Sequence, residues 1–382
     1  MIESSYRRIR SAVLWIFLIL PVAAFPANIV VPTMEMITHG STVGNVFQLQ
    51  SYGTFDMEIQ GGYKFGGKIS VGLLNNPNLE NMAFGGPTAL PINFLGASMT
   101  IRDLFSAPLN VSYFIGQTDI FCSGAGFSEF GAAPIMTRYR GFLYFPSTNL
   151  SVTPIYDGIY QVQGTGAKVE YTPMADQLSL DGYFYEDTHW PGFTGLGNYS
   201  GDLRVLFNTE MIKLEGFIGA TYAGAAPVGL YRGGVLFYAT NKAVEFVAQF
   251  GIPRWDPSAE PFSVNLFYIL VEQRLHMDVV SIVPTFFWHP ASYNQLNYAS
   301  EVGAFDVNLN IYYDDPARTS LQSGAEGNFK FQSSTGSFQW TVSPWVGFTT
   351  AGILWTAKIN FNLWPYNALT LVDAFVGVRA EL

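Results

Sequence analysis

Val372-Asp373-Ala374-Phe375-Val376-Gly377-Val378-Arg379-Ala380-Glu381-Leu382 carries an apolar residue at every even position. Its odd positions include Asp373, Gly377, Arg379 and Glu381. Side chains along a strand point alternately to opposite faces, so this segment is a ribbon with one apolar side and one charged side. The stretch before it repeats the arrangement. Ile353, Trp355, Ala357, Ile359, Phe361 and Leu363 alternate with Thr356, Lys358, Asn360 and Asn362. Two long strands in succession, each charged on one face only, describe a wall with lipid outside and water inside.

The same two-residue period recurs along most of the chain. Phe55, Met57 and Ile59 oppose Asp56, Glu58 and Gln60, and Ile69 and Val71 oppose Lys68 and Ser70. Leu203, Val205 and Phe207 oppose Asp202, Arg204 and Asn208, and Ile212 and Leu214 oppose Lys213 and Glu215. No helical three-four spacing competes over comparable lengths. Asn208-Thr209-Glu210, Asn241-Lys242 and Arg274-Leu275 read as hairpin turns. Longer polar or proline-containing segments fall between them, over 186–200, 253–261 and 289–300. The facing changes parity at Gly164-Thr165-Gly166, which reads as a bulge or an undercounted strand. The expected fold is all-β, a transmembrane antiparallel up-and-down β-barrel of about 16 strands within a range of roughly 14 to 18.

Composition agrees. Of 382 residues, 49% are hydrophobic and only 13% charged, well under the quarter usual in soluble domains. The net charge of −10 argues against a nucleic-acid partner, which would require clustered Lys and Arg. A single cysteine, Cys122, excludes a disulfide framework and a Cys-rich metal site, and no cofactor is expected. Arg7, Arg8 and Arg10 precede an apolar run from Ala12 to Ile19, with small residues at Val22 and Ala24. This pattern predicts a signal peptide over 1–24, cleaved after Ala24. Residues 25–44 lack alternation and are expected to form an irregular periplasmic lead-in or plug, leaving 45–382 as the barrel. Beyond residue 27 no apolar run is long enough for a membrane helix, so a membrane would be crossed by a closed barrel, which leaves no unpaired amides in hydrocarbon. Trp190, Tyr199, Trp255, Trp288, Trp345, Trp364 and Tyr366 are expected in interfacial girdles. A soluble sandwich also alternates, but its strands average only about five or six residues.

The signal peptide, the alternating strands and the closing strand together resemble bacterial outer-membrane β-barrel proteins of the porin-like kind. The resemblance covers the architecture of nearly the whole mature chain and includes no family-specific motif. It implies location in the bacterial outer membrane, with that membrane's lipids and the barrel-assembly machinery as partners. The closing strand of such proteins usually ends in Phe or Trp. This chain keeps the spacing in Val376, Val378, Ala380 and Leu382 but ends in Leu.

A pore asks only for polar inward side chains with space between them. The alternation nominates Asp56, Glu58, Lys68, Arg204, Lys213 and Glu215, together with Lys358, Asp373 and Arg379, as pore-lining residues. Arg138 and Arg140 share a face after a long loop, 118–135, and are candidates for a constriction. The expected function is passive diffusion of small polar solutes, with neither sign of charge dominating the inward set. Inward aromatics at Tyr183, Tyr185, Tyr312 and Phe375 would suit instead a channel for hydrophobic solutes, similar to the long-chain fatty-acid channels; a non-conducting surface adhesin or receptor is the other alternative. Enzyme chemistry is not expected. Asp187-Thr188-His189 resembles the Asp-x-His pair of the omptin proteases but has no matching Asp-x-Asp pair. His39-Gly40-Ser41 has the spacing of lipid-A deacylases on the wrong segment, and His276 with Asp278 has no nucleophile.

Overall fold

The computed structural model describes residues 28–43, 46–61, 63–75, 92–133, 135, 158–188, 197–223, 226–241, 243–290, 293, 304–314, 321–332, 336–369 and 371–381. Eighteen strands follow one another in chain order. They are β1 (Asn28–Val43), β2 (Val46–Gly61), β3 (Phe65–Asn75), β4 (Ile92–Ile101), β5 (Leu109–Phe121) and β6 (Tyr160–Met174). Then come β7 (Leu178–Asp187), β8 (Tyr199–Asn208), β9 (Ile212–Ala223), β10 (Ala226–Thr240), β11 (Val244–Trp255) and β12 (Tyr268–Met277). The ring is completed by β13 (Val280–His289), β14 (Ala304–Asp314), β15 (Leu321–Gln332), β16 (Ser337–Thr350), β17 (Ile353–Trp364) and β18 (Val372–Glu381).

Every strand pairs antiparallel with its chain neighbours, and β18 returns to pair with β1, from Thr33 opposite Glu381 to Gly40 opposite Ala374. The sheet therefore has no free edge. This closure rules out the sandwich alternative. It also corrects the strand number from about 16 to 18. One source of the undercount is the segment 25–44, expected as a lead-in or plug. From Asn28 it is β1, hydrogen-bonded on both sides to β18 and β2. Its pattern is obscured by a register shift between Val30 and Thr33 and by the buried, inward Ile37. The predicted signal peptide lies outside the described residues.

The longest connections share one end, which also carries the two-residue joints after β1 and β9. The connections after β2, β6, β8, β10, β12 and β16 are tight turns, whereas 76–91, 122–159, 188–198, 256–267 and 290–303 all leave from the opposite end. β1 begins and β18 finishes at the tight-turn end. The turn expected at Arg274-Leu275 lies instead at Asp278-Val279, where Asp278 adopts φ 57°; Arg274 and Leu275 pair within the ladder of β11 and β12. The bulge is not at Gly164-Thr165-Gly166, which pair in register with Gly116, Ile115 and Phe114 while Tyr160, Val162, Gly164 and Lys168 keep one buried face. The slip lies in β5, which carries one extra residue between Gln117 and Ile120 opposite Gln163 and Gln161.

The outer face is apolar in long runs: Leu180 and Phe184 on β7, Leu203 and Val205 on β8, and Val307, Leu309 and Ile311 on β14 are exposed there. Aromatic pairs gather at the ends, as an interface with headgroups favours. Phe184 stacks on Tyr199, and Phe338 on Trp364, at the long-loop end; Phe348 stacks on Trp355 at the other. Trp345 departs from the expected girdle. Its position on β16 turns it inward, where it is buried and its indole N–H donates to Asn310 Oδ1 at 3.3 Å.

The packed core sits inside the ring. Phe121, Phe127, Ile159, Tyr160, Val162, Tyr185, Phe217, Leu236, Tyr268 and Phe287 belong to one cluster of buried side chains projecting from β5 to β13 and from the loop after β5. One side of the lumen is therefore filled, and the open space lies elsewhere.

Candidate functional site: a polar lumen and its inserted loop

The loop that follows β5 turns into the lumen. Cys122, Ser123 and Gly124 are buried, and a 3₁₀ turn over Ala125–Phe130 presses Phe127 into the core cluster. Two wall side chains hold its backbone. The Cys122 N–H donates to Glu215 Oε1 at 2.7 Å, and Gln249 Nε2 donates to the Cys122 carbonyl at 2.7 Å. Gly126 lies against Arg204, and a Cβ there would collide with the guanidinium. The absence of a side chain lets the loop seat on the charge row.

That row is a product of register. Glu170 stands opposite Asp181, Lys168 opposite Tyr183, Asp181 opposite Arg204, and Leu206 opposite Glu215. Alternation turns all the polar members inward, so adjacent strands deliver them side by side. Arg204 Nε lies 2.8 Å from Glu215 Oε1, and its Nη1 lies 3.4 Å from Asp181 and 3.5 Å from Glu129 of the loop. Lys168 Nζ reaches Glu129 at 2.9 Å, Asp119 at 3.1 Å, Glu170 at 3.4 Å and Asp181 at 3.6 Å. Tyr183 donates to Asp119 Oδ2 at 2.7 Å. Glu129, Glu170 and Asp181 bring carboxylate oxygens close enough to suggest a metal site. The Lys168 ammonium already supplies the positive charge among them. On the loop, burial is the largest influence on Glu129 and raises its pKa to about 7; Lys168 opposes this, and the Asp181 charge adds to it. The Cys122 thiol is also pushed up, first by burial and then by the Glu215 charge.

A second buried group spans three strands. Asp202 on β8 and Arg232 on β10 both lie opposite Gly219 of the intervening β9. With no side chain at Gly219, they meet across it in a two-pronged pair, Nε to Oδ1 at 2.7 Å and Nη2 to Oδ2 at 2.8 Å. A Cβ at Gly219 would collide with the Asp202 carboxylate. Arg232 also donates to Thr221 Oγ1 at 2.6 Å and lies 4.2 Å over the Tyr160 ring. Buried charges need such partners, because stripping them of water costs several kcal/mol apiece.

Beside the inserted loop, a polar cavity of about 590 Å³ remains. Glu58, Lys68, Ser98, Thr100 and Ser112 from β2 to β5 form one side, and Ser128, Glu129, Lys168 and Glu170 the other. Of the residues nominated from sequence, Glu58 and Lys68 line this space, and Lys68 pairs with Asp56 at 2.9 Å. Arg204 and Glu215 face inward but are buried beneath the loop. Lys213 lies over the Phe127 ring at 5.3 Å and donates to Asn208 Oδ1. Elsewhere around the ring Lys358 pairs with Glu326 at 3.1 Å, and Asp373 accepts from Asn362 Nδ2 at 2.9 Å near His39. Arg379 stands across from Glu35 on β1. Arg138 and Arg140 lie outside the described residues. All four proposed lumen aromatics, Tyr183, Tyr185, Tyr312 and Phe375, are buried.

Lys168, Arg232 and Arg274 were not legible as lumen bases. Lys168 follows Gly164-Thr165-Gly166, where the sequence pattern reads as a change of parity although β6 keeps one buried face throughout, and Arg232 sits in a register shift between Tyr231 and Gly233. Of the enzyme-like motifs, His189 lies outside the described residues. Asp187 accepts from Tyr160, Ser200 and Thr221, while His39 stacks on Phe375 at 4.4 Å. His276 Nδ1 bonds Ser281 Oγ at 2.9 Å with Glu245 at 3.4 Å from Nε2.

No family model matches the sequence, and no curated protein matches it. Solved structures do resemble the fold. OpdK of Pseudomonas aeruginosa, solved with vanillate, aligns with a TM-score of 0.53 and 9% identity, covering 94% of this chain and 98% of that one. The BenF-like porin of Pseudomonas fluorescens Pf-5 gives 0.52 at 8% identity, covering 93% and 98%. OccD3 (OpdP) of Pseudomonas aeruginosa gives 0.51 at 8% identity, covering 92% and 90%. The chain is thus a closed antiparallel barrel of porin-like fold, carried without a family motif.

Proposed function

We propose that the protein is a passive channel of the bacterial outer membrane, admitting small polar solutes. The observation that carries this reading is the polar cavity left between β2–β5 and the inserted loop, inside a ring whose outer face is apolar. The hydroxyls of Thr100 and Ser112, hydrogen-bonded at 2.8 Å, and the Lys68–Asp56 pair give a wall that water and hydrogen-bonding solutes wet readily. The outer face meets outer-membrane lipid, and the barrel-assembly machinery is the partner that inserts it, after removal of residues 1–24. Solute exchange needs no catalytic group and no cofactor.

One observation favours a second reading, a non-conducting barrel serving as surface adhesin or receptor: the dry cluster that fills the β5–β13 side of the lumen. Purified protein refolded into planar bilayers separates the two. Discrete conductance steps at modest voltage, and swelling of proteoliposomes in small sugars, are expected of a channel. Folded protein that inserts but passes no current would overturn the channel and leave the adhesin.

A further inference from the structure

The two sides of the cavity carry unequal charge. On β2 to β4 the balance is even: Asp56 and Glu58 are matched by Lys68 and by Arg102, which closes the cavity at the tight-turn end. On the loop side it is not. Asp119, Glu129, Glu170, Asp181 and Glu215 face only Lys168 and Arg204 among the described residues. Counting Lys213, over Phe127, still leaves two carboxylates in excess. An independent sign of the surplus is Glu215 itself. It is buried, and its Oε2 has no hydrogen-bond partner among the described residues. The ion pairs thus do not neutralise the wall they build. Three of these five acids, Asp119, Glu129 and Glu170, border the cavity directly. Low-dielectric walls concentrate such a field within a narrow passage, where salt screens it less than at an open surface.

Resting on the channel reading, we infer that the passage prefers cations to anions, that small amine- or amidine-bearing solutes are the class it favours, and that Glu129 and Glu170 set the preference. A cation moving past the loop replaces part of its hydration with carboxylate oxygens, whereas an anion meets the same oxygens repulsively. Glu129 is faced by Lys168 and Glu170 from β6, Asp119 from β5, Asp181 and Tyr183 from β7, and Arg204 from β8. With its pKa raised to about 7, it loses its charge as the medium is acidified through neutrality. The preference therefore weakens on acidification.

The test is the zero-current potential of refolded protein in a planar bilayer under a potassium chloride gradient, measured above and below neutral pH. The inference expects potassium to be favoured over chloride, more strongly at alkaline pH. Glu129→Gln and Glu170→Gln each lower the permeability ratio by about twofold, and Glu129→Gln flattens its pH dependence. Ser128→Lys, which adds a charge at an exposed loop position on the cavity without breaking an ion pair, shifts the ratio the same way. A native ratio at or below unity, or a ratio unmoved by Ser128→Lys and Glu170→Gln in barrels that still conduct, overturns the inference while leaving a channel in place. Absence of any conductance would instead remove the channel reading itself.

Discussion

Replacing Arg204 by Met removes the charge that organises the loop's seat while nearly preserving side-chain length. Arg204 is 1% exposed, and Glu215 beside it is 1% exposed. The substitution leaves Glu215 and Asp181 buried without the guanidinium that lies 2.8 Å and 3.4 Å from them. Breaking one side of a buried ion pair costs about 3–5 kcal/mol, because the orphaned charge keeps its desolvation penalty. Arg204→Met/Glu215→Gln removes both charges and should recover much of that loss. Urea unfolding of protein folded into phospholipid vesicles, followed by tryptophan emission, gives the stabilities and their coupling. The single cysteine gives a local reading of the same event. Cys122 is buried, its thiol is held protonated by burial, and its N–H is tethered to Glu215. Maleimide labelling in the folded protein should be slow and should quicken about tenfold for each ~1.4 kcal/mol by which loop docking weakens. A loss below about 1 kcal/mol in the single variant, or no recovery in the double, would refute the account of a loop anchored by buried charge.

Other outcomes follow from the same geometry. Gly219→Ala should separate Asp202 from Arg232 and destabilise the barrel by about 2–3 kcal/mol in the same unfolding assay; Gly182→Ala, whose added Cβ meets only Leu203 Cδ2 at 3.8 Å, should be close to neutral. Leu203→Lys, at an outward position 61% exposed in the middle of β8, should cost about 2–4 kcal/mol in lipid; the inward Thr100→Lys should be tolerated. Because the Glu129 pKa is raised by burial in the seated loop, the native state holds a proton there that the released loop gives up. The proton's contribution to docking is complete below the free carboxylate value of 4.5 and is lost by about pH 7, so Cys122 labelling, corrected for intrinsic thiol ionisation, should accelerate between those values and level off above neutrality.

The sequence made the barrel legible because an apolar outer face around a polar interior leaves a strict two-residue signature, and that signature survives wherever strands are straight. β8 shows this: Leu203 and Val205 turn out while Asp202 and Arg204 turn in, as their alternation requires. Legibility failed where backbone irregularities shift parity. β1 was hidden by its bulge after Val30, Arg274 by the expectation of a turn four residues early, Lys168 by a parity change read at Gly164-Thr165-Gly166 that β6 does not make, and Arg232 by the slip beside it. The site itself was less legible than the wall. Arg204 and Glu215 were correctly turned inward, yet nothing in their spacing tells that a loop rests on them. That depends on Gly126 and on the core cluster around Phe127, contacts between segments distant in sequence. Asp202 and Arg232 meet only because register places both beside Gly219.

The most direct check on the whole picture is the solvent met by each face of one strand. With Cys122 replaced by Ser, nitroxide labels placed singly at Ser98, Met99, Thr100 and Ile101 of β4 can be read by power saturation in bilayers. The structure predicts that Met99 and Ile101 collide with lipid-dissolved oxygen, whereas Ser98 and Thr100, on the cavity wall, collide with a water-soluble nickel chelate. Equal exposure to the chelate at all four positions, or oxygen-rich surroundings at Ser98 and Thr100, would contradict a lipid-embedded cylinder with water inside it.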